Sequence, residues 1–211
     1  MQNIKQLNQK SFSKLLIFFF LGLLLSGCIS KSNESIQVKY FDLGEPKIIE
    51  IENVNLDIVP FTNYSEVNSE MLYRLGKNQV DLDPYNQWVE PPNLLLTTFF
   101  KRAITLNYEK KTDISKEPLL ITLVVSITAF DIDLENNKAI LGTTYKIKYQ
   151  GQIFLVQNRT FEQNLKAQTP SAFAEAMSLA ASDFLSQVCS QVSELKTVIM
   201  KEKEIQAKQM E

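Results

Sequence analysis

The sequence predicts an α+β protein: one domain with a mostly antiparallel sheet, a three-stranded meander, and two helices packed on one sheet face, after a cleaved N-terminal signal. Three observations predict it. Between residues 119 and 164, runs with apolar residues at every second position are separated by the turn residues Asn136-Asn137 and Gln150-Gly151. Apolar residues recur at helical spacing after Pro91-Pro92 and again after Pro170. The resulting order of strands, helix, meander and helix places both helices against one sheet.

The N-terminus carries Lys5, Lys10 and Lys14 without an acid, then the apolar run Leu15 to Leu24, then Leu25-Ser26-Gly27-Cys28. A basic head, a greasy middle and small residues at a cut site make a secretory signal. Its apolar core of about 11 residues is roughly half of the ~20 that a membrane-crossing helix needs. The cut site resembles a bacterial lipobox. That implies Cys28 as the first mature residue, bearing covalent diacylglycerol and an acyl chain such as palmitate on its amine. Two or more chains anchor stably where one does not. Ile29 and Ser30 follow, without the aspartate that resembles an inner-membrane retention signal, so the expected location is the periplasmic side of the outer membrane. The domain boundaries read as 1–27 signal peptide, 28–36 lipidated terminus and short tether, 37–200 folded domain, and 201–211 polar tail.

Residues 1–27 hold three lysines and no acid, so the processed chain carries 24 acidic against 19 basic residues and no histidine. An acidic balance argues against nucleic acid or anionic-lipid headgroups as the main partner, since both reward basic patches. About 184 residues suffice for one domain with its own core. With Cys28 lipidated, Cys189 has no disulfide partner; lying between Val188 and Val192 it reads as a small buried hydrophobe.

In chain order, 38–44 reads as a first strand ended by Gly44 and Pro46. Ile49 to Ile58 alternates with a phase slip at Asn53, read as a bulge. Thr62 to Glu70 is a polar loop. Met71-Leu72-Tyr73-Arg74 and Gln79-Val80-Asp81-Leu82 flank Gly76-Lys77-Asn78 as a hairpin. Pro91-Pro92 opens a helix with Leu95, Phe99, Arg102 (or Ala103) and Leu106 on one stripe, widened by Leu94, Leu96, Phe100 and Ile104. Ile121, Leu123, Val125, Ile127 and Ala129 face inward on the first meander strand. Ala139, Leu141, Thr143, Tyr145, Ile147 and Tyr149 alternate on the second, and the third runs to Phe161. The last helix places Phe173, Met177, Ala180, Phe184, Val188, Val192, Leu195 and Ile199 on one face.

Several of these segments fall where one family carries similar residues. Tyr40-Phe41-Asp42-Leu43-Gly44 follows soon after the lipidated cysteine, then come Met71-Leu72-Tyr73-Arg74 and Tyr85-Asn86-Gln87-Trp88-Val89-Glu90-Pro91-Pro92 opening a helix. With Ala129-Phe130-Asp131 and 170–180, they resemble the ABC-type transport auxiliary lipoprotein family, in its branch of PqiC-like intermembrane transport lipoproteins. The long acidic turn Asp131 to Asn137 and the polar C-terminus depart from that pattern. The resemblance implies a non-enzymatic accessory of an ABC system whose periplasmic part is built of MCE (mammalian cell entry) domains and which moves lipid between the inner and outer membranes. The implied partners are membrane lipid through Cys28 and an MCE-domain protein; a homo-oligomer is compatible with the sequence.

Candidate motif residues are Tyr73, Arg74, Tyr85, Trp88, Glu90, Pro91 and Pro92. Trp88 and Tyr85 are of the type that anchors interfaces. The structural reading weighs more: Trp88 stacked on Pro91 or Pro92, fixing the angle of the helix. Asp81 and Asp83 precede Pro84 as ordinary turn chemistry. The run from Asp131 begins like a calcium loop but has Asn136 at the sixth place and Gly142 at the twelfth, so no metal site is expected. Without histidine there is no Ser-His or Cys-His pair, and no cofactor is expected beyond the lipid on Cys28. Two rival functions share the tether and small domain: an activator of a peptidoglycan synthase, disfavoured by the short linker, and a lipid-binding chaperone.

Overall fold

The computed structural model describes residues 37–63, 68–105 and 118–209. The signal segment, Cys28, the tether and Leu106 lie outside the described residues. Those described form eight strands and two helices: β1 (Lys39–Phe41), β2 (Val54–Ile58), β3 (Thr62–Asn63), β4 (Glu70–Arg74), β5 (Val80–Trp88), α1 (Pro92–Thr105), β6 (Leu119–Asp133), β7 (Lys138–Tyr149), β8 (Gln152–Asn164) and α2 (Pro170–Gln209).

The meander β6-β7-β8 is antiparallel throughout. Its turns follow from local chemistry. Gln150 and Gly151 both take positive φ, +49° and +78°, as a two-residue hairpin loop with native strand twist requires. At the other turn Asn137 sits at φ 56° while Asp133 Oδ1 accepts the Asn136 amide at 2.8 Å. The sheet runs β1-β5-β4-β6-β7-β8, with β2, β3 and β4 docking in succession along one edge of β6. These three pairings and β1 with β5 are parallel, so the sheet is mixed; the long ladders are the antiparallel ones.

Both helices cover the same face. Thr169 precedes α2, its carbonyl accepting the Phe173 amide and its hydroxyl the Ala172 amide, with Pro170 at the first helical position. The eight-residue stripe from Phe173 to Ile199 is fully buried, whereas 200–209 continue as exposed helix. Phe184 is the hub of the core. Its ring lies 4.9 Å from Phe100 of α1, 5.3 Å from Tyr145 of β7 and 5.2 Å from Phe161 of β8. Phe61 completes the cluster, edge-on to Phe100, with its backbone held by Thr97 Oγ1 and Asn93 Nδ2 of α1.

Five expectations change. The stretch Thr62 to Glu70, expected as a polar loop, gives Thr62–Asn63 to β3 and Glu70 to β4. Ile49 and Ile51 are not in a strand: residues 52–53 turn, Asn53 adopts φ 55°, and its carbonyl accepts the Leu119 amide to start the β2–β6 ladder. The first strand is shorter than 38–44. Leu94 lies on the exposed side of α1. On β6 a bulge falls between Ile127 and Ala129, so Phe130 and Ile132 take over the buried face that Ala129 was expected to hold. Gly142 of β7 sits opposite: a Cβ there would meet Thr128 Oγ1 at 2.7 Å and Ala129 Cβ at 3.0 Å. The bulge therefore needs a glycine across from it.

Candidate functional site

The motif residues meet where β4, β5 and β6 lie side by side. β5 extends through the whole Asp83 to Trp88 stretch, with a register shift after Glu70 that leaves three residues, Pro84 to Asn86, without partners on β4. Asp83 organises the bulge. Its Oδ1 accepts the amides of Tyr85 and Asn86 at 2.9 and 3.0 Å; its Oδ2 accepts Asn86 Nδ2 at 2.7 Å and the Tyr73 hydroxyl at 2.9 Å. Burial alone would raise the Asp83 carboxyl, but these four donors outweigh it and hold it below the usual aspartate range. Burial, followed by that bond and the charges of Asp83 and Asp81, pushes the Tyr73 phenol far above its ordinary value, so it is a permanent donor. The other side of the Tyr73 ring meets Phe173 edge-on at 5.3 Å, tying the first turn of α2 to β4.

Arg74 points to the opposite sheet face. Its Nε and Nη2 both reach Asp131 Oδ2, at 3.2 and 2.5 Å, and its carbonyl accepts the Leu134 amide. Asp133, next along β6, is held low first by Asn136, through its side chain and its amide, with the Arg74 charge a smaller cause.

Trp88 is buried, but its ring packs edge-on against Phe130 at 5.1 Å, the aromatic that the β6 bulge turns inward. The backbone amide of Trp88 donates to Ser69 and that of Val89 to Phe41, joining β5 to β4 and β1. Pro91 supplies the carbonyl for the first helical amides of α1, and Pro92 is its first residue and buried. Tyr85 and Glu90 are exposed and project from this frame. Sequence reasoning missed the partners Asp131, Phe130 and Phe173, which stand 40 or more residues from the groups they hold and share no local pattern with them.

Chemically, the cluster is a clamp. Tyr73, Asp83, Arg74 and Asp131 are all engaged with one another or with backbone. Among the described residues no group of three or more His, Cys, Asp or Glu side chains is placed to hold a metal ion. Cys189 is buried at the floor of a shallow groove of about 420 Å³ between Ile48–Ile51 and the Ser186 to Ser193 face of α2; burial pushes its thiol up to about 11. Among the described residues, no helix is long and apolar enough to cross a membrane.

A family model described as the ABC-type transport auxiliary lipoprotein component matches residues 67–189, which span β4 to the first half of α2. No curated protein matches the sequence significantly. Among solved structures, protein XCC0632 from Xanthomonas campestris, of the family DUF330, superposes with a TM-score of 0.56 at 15% identity, over 81% of this chain and 99% of that one. A second, an uncharacterized protein, gives a TM-score of 0.59 at 12% identity, over 74% of this chain and 99% of the other. At such identities both likenesses concern the fold.

Proposed function

Because the chain belongs to the ABC-type transport auxiliary lipoprotein family, we propose that it is the lipid-anchored periplasmic adaptor of an MCE-type ABC system carrying lipid between the inner and outer membranes. The observation that carries this reading is the family match over the β4–β5–α1 motif region, joined to a signal segment ending in Leu25-Ser26-Gly27-Cys28. The clamp supports a scaffold rather than a catalyst: its polar groups hold strands and helices in place. In this reading Cys28 carries the lipid, Ile29 and Ser30 direct the protein to the outer membrane, and exposed Glu90 beside the α1 start is offered to the MCE subunit.

Two experiments test it. Deleting the gene is expected to reproduce the envelope-permeability defect of deleting its MCE partner, with no further defect in the double deletion; an additive double defect contradicts a shared path. A Cys28→Ala change is expected to move the protein from the membrane to the soluble periplasmic fraction, and full membrane retention contradicts the anchor.

A further inference from the structure

The sheet face turned away from the helices is not uniformly polar. At the β1 edge, Phe41 and Trp88 are register partners and point into the core, so Tyr40, paired with Gln87, points outward. The outward set here is Val38, Tyr40, Val80, Leu82, Tyr85 and Val89. Each leaves between 38% and 62% of its surface in water. Asp83 holds the β5 bulge through the Tyr85 and Asn86 amides, and the half-exposed Tyr85 stands next to Asn86, the register partner of Lys39 in β1. Tyr40 of β1, Val80, Leu82 and Tyr85 of β5, and Val38 and Val89 just beyond those strands leave apolar surface along one edge of the sheet, a kind of surface that monomers rarely leave uncovered.

Where the chain enters the domain says what covers it. Val38 is both a member of this edge and the residue at which the polypeptide leads back toward Cys28, ten positions earlier. Ten extended residues span at most about 35 Å. Resting on the proposed lipidation of Cys28, we infer that the β1–β5 edge lies on the headgroup region of the membrane that holds the anchor, with Tyr40 and Tyr85 at the lipid–water boundary. Tyrosine suits that boundary, its ring apolar and its hydroxyl wet. A short tether holds the edge at an effective concentration on the order of millimolar, so a weak patch suffices to orient the domain without adding to the anchor's strength. Exposed Lys39, Asp42, Asp81 and Glu90 lie on or beside the edge, an acidic balance with a single cation, so the contact is apolar and independent of anionic lipid. The exposed Ile153 and Val156 of β8 belong to the other edge of the sheet, five strand spacings away, and stay in water.

The test uses the full processed lipoprotein in vesicles of phosphatidylethanolamine and phosphatidylglycerol. In a Cys189→Ala background, Tyr40→Cys, Tyr85→Cys and, as control, Ile153→Cys each carry an environment-sensitive fluorophore. The expected result is a blue-shifted emission at 40 and 85 that is quenched by spin-labelled lipid, an unshifted and unquenched signal at 153, and no change when phosphatidylcholine replaces phosphatidylglycerol. Aqueous signals at 40 and 85 in protein that still floats with the vesicles overturn the inference while leaving the anchor intact. Protection at 40 and 85 that arises only on adding a protein partner overturns it too and assigns the edge to that partner. Failure to float overturns the anchor and the inference together.

Discussion

The Tyr73 hydroxyl donates to Asp83 Oδ2 at 2.9 Å, and this bond joins the two halves of the motif region. Tyr73 faces α2 through Phe173, while Asp83 sets the β5 bulge that leads to Trp88 and α1. A Tyr73→Phe change removes one bond and leaves Asp83 three other donors, so it is expected to cost about 1 kcal/mol. Asp83→Ala strands three donors besides the hydroxyl and is expected to cost more, about 2–3 kcal/mol. Urea denaturation of both variants checks the order.

Asp83 and Asp133 titrate below the usual aspartate range in the folded protein. A depressed folded pKa means that the unfolded chain takes up protons first. The associated stability is therefore complete above the unfolded value of about 4 and is lost as pH falls through the lower folded values. The urea midpoint is expected to be flat from pH 7 to about 5 and to drop below about 4. In Asp133→Asn the drop is expected to be shallower, from a lower plateau.

Gly142 stands against the β6 bulge with no room for a methyl group. Gly142→Ala is expected to destabilise by about 1–3 kcal/mol, the usual cost of overpacking. Thr128→Ala removes the nearest obstructing oxygen, so the double variant is expected to recover part of the loss, as thermal melts of the four proteins would report.

Phe184 touches rings from four separate segments. Phe184→Ala is expected to cost about 3–5 kcal/mol. Exposed Phe154 of β8 is expected to tolerate alanine within about 0.5 kcal/mol. Equal losses at both positions would contradict the placement of the core.

The Cys189 thiol, buried and raised to about 11, is expected to resist alkylation in the native protein and to react once unfolded. Unfolded protein from membranes is then expected to show one reactive thiol; two would mean an unmodified Cys28.

What was legible in the sequence was periodic. The stripe Phe173 to Ile199, the alternation of β7 and the Gln150-Gly151 turn all rest on local repetition, and each is where the pattern puts it. Two kinds of feature escaped. Phase shifts did: the bulge at Thr128 exchanges Ala129 for Phe130, and nothing local separates a bulge from an ordinary alternation until Gly142 faces it. Partners distant in the chain did too. Arg74 and Asp131 are 57 residues apart, and only the parallel docking of β4 beside β6 brings them together. Trp88 could be read as a lock from its prolines, but the ring it packs against lies 42 positions on, in a strand whose register the bulge resets.

Affinity isolation of the intact lipoprotein from detergent-solubilised membranes, with mass-spectrometric identification of what remains bound, tests the adaptor reading most directly. The account predicts an MCE-domain subunit recovered together with its ATPase and permease. Recovery of a peptidoglycan synthase in their place, or of this protein with none of them, would contradict it.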